Sequence, residues 1–113
     1  MEMKLPSKIQ FADEKVKKAF FELENAKGDE KQLYEFLERA FNDIEENAFC
    51  GIQIPKKQIP KDYVKKYGIK NLWKYNLPNA WRLIYSIESN QILVLSIVLE
   101  WMDHKNYERK FNY

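Results

Sequence analysis

The sequence predicts an α+β fold, an antiparallel β-sheet meander packed against an N-terminal α-helical hairpin, in the order β-α-α-β-β-β. Three observations predict it. Residues 71–107 hold three β-rich runs separated by two short turn signals. Two stretches between residues 13 and 48 place apolar residues on single helical stripes. The connection between those stretches is short, which makes two helices antiparallel neighbours.

Each element can be justified in turn. Lys8-Ile9-Gln10-Phe11 alternates and reads as an edge strand. Residues 13–26 set Val16, Phe20 and Leu23 on one helical face, and Gly28 suits the C′ position that ends a helix. Asp29 with Gln32 three residues on resembles a capping box. It opens a second helix whose stripe runs through Leu33, Phe36, Leu37, Ala40, Phe41, Ile44 and Ala48. Cys50-Gly51 closes the helical region, and Pro55 and Pro60 keep the next stretch out of a sheet interior. Residues 60–67 suit a short helix with proline in its first turn and Gly68 as its stop.

The sheet register follows from the loops. A three-residue loop, Pro78-Asn79-Ala80, sets Leu77 opposite Trp81, Tyr75 opposite Leu83 and Asn76 opposite Arg82. Trp73, Tyr75 and Leu77 then share a face with Trp81, Leu83, Tyr85 and Ile87, and Lys74 and Arg82 lie on the other. A tight turn at Ser89-Asn90 would set Ile87 opposite Ile92. The third run, Ile92 to Leu99, is apolar on both faces. It suits a strand covered on both sides, or one covered by helices on one side and by a ligand or partner on the other.

With 113 residues, the chain suits a single domain, residues 1–113, with one core. Apolar residues at 45% and aromatics at 15% exclude a disordered chain. One cysteine, Cys50, permits no internal disulfide and suits a reducing cytoplasm. No run reaches membrane-spanning length, so no membrane association is expected. One histidine and one cysteine leave no set for a His/Cys zinc site; neither a metal nor a small-molecule cofactor is expected. Charge is uneven: residues 1–50 carry net −4 and residues 51–113 net +6. Between Lys56 and Lys74 stand seven lysines and one acid, Asp62. Such asymmetry fits a nucleic-acid binder, or equally a solvated lysine-rich loop.

Residues 72–87 read LWKYNLPNAWRLIYSI; ILVLSIVLEW and DHKNYERKF follow. An aromatic-lysine strand, a [WY]-R-L-x-Y strand and an H-K-x-Y segment in this order resemble the RelE/ParE superfamily of toxins. The resemblance implies the toxin of a type II toxin–antitoxin system. RelE-like members are endoribonucleases that cut messenger RNA on the ribosome and inhibit translation; a cognate antitoxin neutralises them. ParE-like members instead act on gyrase and are not nucleases. The H-K-x-Y ending is closer to the RNA-cleaving group. The expected function is a metal-independent, ribosome-dependent mRNA endoribonuclease, a hydrolase with antitoxin, ribosome and messenger RNA as partners. The alternative is a non-enzymatic protein of the same fold, either a gyrase inhibitor or an inactive homologue.

Metal-free RNA cleavage needs a base for the 2′-OH, a cation for the transition-state charge, an acid for the leaving oxygen, and in-line geometry. Arg82 corresponds to the family's strand arginine, and its guanidinium can grip a phosphate with two hydrogen bonds. Otherwise it is a surface arginine, or one paired with Glu100 or Asp103. His104 is the natural acid or base near neutral pH; otherwise it is an exposed strand-end residue held by Asp103. Tyr107 shares a face with His104 if the segment is helical. The resemblance implies that both positions serve catalysis or base stacking, so Tyr107 is a candidate catalytic residue; packing on the strand is its alternative. Lys74 matches a family lysine that shares the phosphate charge. Asn76 departs from the pattern, because several members carry a second basic residue there. Lys56, Lys57, Lys61, Lys65, Lys66 and Lys70 would hold RNA phosphates without reading sequence. Residues 106–113 would pack near the active face or meet the antitoxin.

Overall fold

The computed structural model describes residues 4–90 and 93–111. The first strand, β1 (Lys8–Phe11), leads into helices α1 (Glu14–Glu24) and α2 (Asp29–Glu46). A 3-10 turn at Ala48–Cys50 precedes the two-residue strand β2 (Ile52–Gln53). A second 3-10 turn at Lys56–Gln58 and helix α3 (Lys61–Tyr67) follow. Strands β3 (Trp73–Asn76), β4 (Arg82–Ser89) and β5 (Val94–Met102) come next, and helix α4 (His104–Phe111) is last. The architecture is α+β, with four helices and one five-stranded sheet among the described residues.

The hairpin of α1 and α2 forms for the reasons read in the sequence, but its joint differs. The Asp13 side chain caps α1 by accepting from the Val16 N–H at 2.8 Å. Asn25, not Gly28, caps its far end. Gly28 instead starts α2, at φ 65°, and its carbonyl takes the Gln32 N–H. That positive φ is cheap only for glycine, and it moves Asp29 inside the helix, so the expected Asp29–Gln32 capping box does not form.

The sheet order is β1-β5-β4-β3-β2. β3, β4 and β5 pair antiparallel as chain neighbours, while β1 runs parallel to β5. The sheet is therefore mixed where an antiparallel one was expected. The chain leaves β1 at one end of the sheet and returns to its neighbour only after both hairpin helices and the other strands. Pairing of Asn76 with Arg82 and of Tyr75 with Leu83, and the Leu77 N–H bond to the Trp81 carbonyl, match the register set by the Pro78–Ala80 loop. The β4–β5 register differs. Ser89 still pairs, with Val94, and Ile87 faces Ser96; Ile92, its expected partner, lies outside the described residues. Asn90 closes the longer loop, its side chain accepting the Leu93 N–H at 2.8 Å. Further along, Ile84 pairs with Glu100 and Tyr85 with Val98, leaving Leu99 as the extra residue of a bulge.

Two cores flank the sheet. On one face the stripe of Phe20, Leu33, Leu37, Phe41 and Ile44 packs on Leu77, Leu83, Tyr85 and Val98. On the other, Tyr63 of α3 and Tyr107 and Phe111 of α4 pack on Leu72, Ile84, Leu99 and Met102. β5 is thus a strand covered on both sides by the chain itself, the first of the two readings of its apolar run. No helix among the described residues is long and apolar enough to cross a membrane.

Candidate functional site

The face opposite the hairpin carries the expected residues, because the Pro78–Ala80 loop fixes their register. Asn76 lies directly across from Arg82, and Lys74 lies one pair further along the same face. The turn into α4 brings the third member. Asp103 caps that helix, its carboxylate accepting the Asn106 N–H at 2.9 Å. This aims Tyr107 down onto the sheet, where it is only 2% exposed and rests 4.6 Å from the Phe111 ring. Lys74 Nζ lies 5.0 Å and Arg82 Cζ 5.7 Å from the centre of the Tyr107 ring. Two cations therefore share one aromatic ring, whose electron-rich face offsets part of their mutual repulsion.

Arg82 is half-buried and underused. One Nη1 donates to the Trp81 carbonyl at 3.1 Å, and the buried Nε has no partner. It makes no ion pair with Glu100 or Asp103; Glu100 instead accepts from the Tyr63 hydroxyl at 2.5 Å. A guanidinium has five N–H donors, so most of this one's capacity is left for an anion. Burial first, and the Glu100 bond second, push the Tyr63 phenol well above its ordinary range.

His104 is not among the groups that meet at the Tyr107 ring. It opens α4 one turn before Tyr107, with its side chain 55% exposed. Its partner is Glu108, one turn along the helix, not Asp103. Glu108 faces Nε2, so a neutral imidazole donates from Nε2 and keeps Nδ1 as its proton acceptor. Glu108 was missed in the sequence because its i,i+4 spacing has meaning only once residues 104–111 are known to be helical. Tyr107 takes the packing alternative: with its ring this buried, no face is open to stack on a base.

The six lysines expected to hold RNA divide. Five of them, Lys56, Lys57, Lys61, Lys65 and Lys70, line an open hollow of about 600 Å³ with Ile59, Val64 and Ile69. Lys66 turns instead to the cleft between α3, α1 and β5, with its Nζ 5.1 Å from the Tyr67 ring centre. Asp62 also turns to that cleft and is held by Lys110. The hydrogen bond from Lys110 keeps the Asp62 carboxyl below the usual carboxylate range.

No cluster of three or more His, Cys, Asp or Glu side chains arranged to hold a metal occurs among the described residues. No family model, curated protein or solved structure matches this chain.

Proposed function

We propose that this chain is a RelE/ParE-type toxin that cleaves messenger RNA on the ribosome without a metal. The observation that carries the reading is the convergence of Lys74 and Arg82 on Tyr107, with His104 one helical turn away. In this mechanism His104 Nδ1 takes the proton from the 2′-OH, with Glu108 holding the imidazole. The freed oxygen attacks the adjacent phosphorus and the bond to the 5′-oxygen breaks. Arg82 balances the charge on the phosphoryl oxygens, and the Lys74 ammonium gives its proton to the leaving oxygen. The products are a 2′,3′-cyclic phosphate and a 5′-hydroxyl. Tyr107 is a positioning residue, holding the two cations at a fixed separation.

Induced expression tests this. Wild-type chain is expected to arrest growth and fragment messenger RNA. Arg82→Gln is expected to relieve both while the protein accumulates folded, since losing one such stabiliser costs roughly 10²–10³ in rate. Fully toxic Arg82→Gln and His104→Gln variants would show that the residues are misassigned.

The burial of Tyr107 favours a second reading, a binding protein of the same fold with no nuclease activity. It predicts growth arrest with intact messenger RNA. Loss of supercoiling activity in gyrase challenged with the purified chain would then identify the target.

A further inference from the structure

β1 accompanies β5 only as far as Val98, whose carbonyl takes the Ala12 N–H at 2.9 Å. Beyond that point Leu99, Glu100 and Trp101 form an open sheet edge among the described residues, with α1 on one face and α3 on the other. The space left between them is a cleft of about 370 Å³. Small-ligand sites are usually about 300–1,000 Å³. Leu99 is its buried floor, and the half-buried Val16, Tyr67 and Trp101 side chains wall it.

Charge selects the occupant. Three carboxylates and three ammonium groups line the cleft. Asp62 and Lys110 neutralise one another. Asp13, Glu100, Lys15 and Lys66 remain, and none of these four makes an ion pair among the described residues. Asp13 uses one oxygen on the Val16 N–H and Glu100 one on the Tyr63 hydroxyl, so each carboxylate keeps its other oxygen. The Tyr67 hydroxyl first, and the charges of Asp13 and Glu100 after it, hold the Lys66 ammonium above its ordinary range. Two cations and two anions therefore face the same apolar space without meeting. A phosphate in that space would be repelled by both carboxylates, and a polyamine by both lysines. A molecule of zero net charge with separated poles satisfies both signs at once.

We infer that the cleft binds a free α-amino acid with a large apolar side chain, its ammonium toward Asp13 and Glu100, its carboxylate toward Lys15 and Lys66, and its side chain against Val16, Leu99 and Trp101. The cleft shares no residue with the Lys74–Arg82–Tyr107 cluster or with His104, so this does not depend on the nuclease reading.

Calorimetric titration of the full chain with L-phenylalanine tests this, beside two analogues that each lack one pole. Phenethylamine lacks the carboxylate and hydrocinnamate lacks the ammonium. L-phenylalanine is expected to bind in the millimolar range or tighter and to change tryptophan emission. Each analogue should bind at least about tenfold more weakly, since a charge-assisted contact is lost. Glu100→Gln should weaken L-phenylalanine by about tenfold and leave hydrocinnamate no weaker. Lys66→Met should do the same to L-phenylalanine and leave phenethylamine no weaker. Gln keeps an oxygen for the Tyr63 hydroxyl and Lys66 is exposed, so both variants should unfold at the wild-type temperature. The proposal fails if L-phenylalanine gives neither heat nor a change in emission. It also fails if either analogue binds as tightly as L-phenylalanine, which would make the cleft an apolar or single-charge site. Unchanged L-phenylalanine binding by folded Glu100→Gln and Lys66→Met would overturn it as well.

Discussion

Gly51 leaves no room for a side chain. A Cβ there would lie 2.6 Å from the Lys74 carbonyl oxygen and 2.6 Å from the Tyr85 hydroxyl. The Tyr85 hydroxyl also accepts the Gly51 N–H at 3.1 Å and donates to the Ala48 carbonyl at 2.7 Å. Gly51→Ala is expected to cost about 1–3 kcal/mol by overpacking, read as a lower urea midpoint. Because the clash falls on the backbone of Lys74, activity should fall with it. Ala80 has the opposite problem. It sits at φ 62°, where a Cβ costs about 1–2 kcal/mol. Ala80→Gly should therefore raise stability by about 0.5–1 kcal/mol after the entropy of the extra glycine is charged against it. At the proposed site, Tyr107→Phe keeps the ring under the cations, whereas Tyr107→Ala should cost about 3–5 kcal/mol of folding and would not separate packing from chemistry. His104→Gln should lower the cleavage rate by roughly 10²–10⁴-fold with little change in stability, since the side chain is mostly exposed.

At the scale of elements, α3 and α4 cover the far face together. Lys110 of α4 binds Asp62 of α3, and the Tyr63 and Phe111 rings lie 6.4 Å apart. The lowered Asp62 value makes this contact a stabiliser above about pH 4, the ordinary aspartate range, and its contribution is lost as pH falls through the folded value. The carboxylate is 63% exposed, so the effect is at most about 1 kcal/mol. Asp62→Asn should flatten the acid limb of the stability curve by no more than that, as measured by urea unfolding from pH 5 down to about pH 3. These elements also show what could be read from sequence. The α1–α2 stripes and the β3–β4 register were legible because helical spacing, strand alternation and a three-residue loop are local signals. The capping at Gly28 was not, since Asp29 and Gly28 both suit a helix boundary and only the backbone angle decides. The Leu99 bulge was invisible because β5 is apolar on both faces, so a one-residue slip leaves no mark on its pattern. α4 is short and mostly polar, and only its buried Tyr107 and Phe111 betray a helix.

Over the whole molecule, the least legible feature was the parallel pairing of β1 with β5, since Lys8 meets Leu95 across most of the chain. No local pattern encodes the direction of such a distant pair. For the candidate site, the shared face of Lys74 and Arg82 followed from register, but the burial of Tyr107 and the bond of His104 to Glu108 needed the fold of α4. A global consequence lies at high pH. Burial raises the phenols of Tyr63, Tyr75 and Tyr85, with the Glu100 bond adding to Tyr63, the Asp43 bond to Tyr75 and the nearby Cys50 thiolate to Tyr85. The folded chain keeps these protons while the unfolded chain releases them near pH 10, so stability present below about pH 10 is lost above it. The urea midpoint should therefore fall steeply above that pH, and more gently in Tyr63→Phe.

The central claim is that the Lys74–Arg82–Tyr107 cluster and His104 break RNA. Mapping of 5′ ends on a defined messenger RNA, with and without translating ribosomes, tests it most directly. Wild-type chain should generate new 5′-hydroxyl ends only on ribosome-bound message, and Arg82→Gln should reduce them roughly 10²–10³-fold while unfolding at the same urea midpoint. An intact message under the wild-type chain, or equal fragments from a folded Arg82→Gln variant, would contradict it.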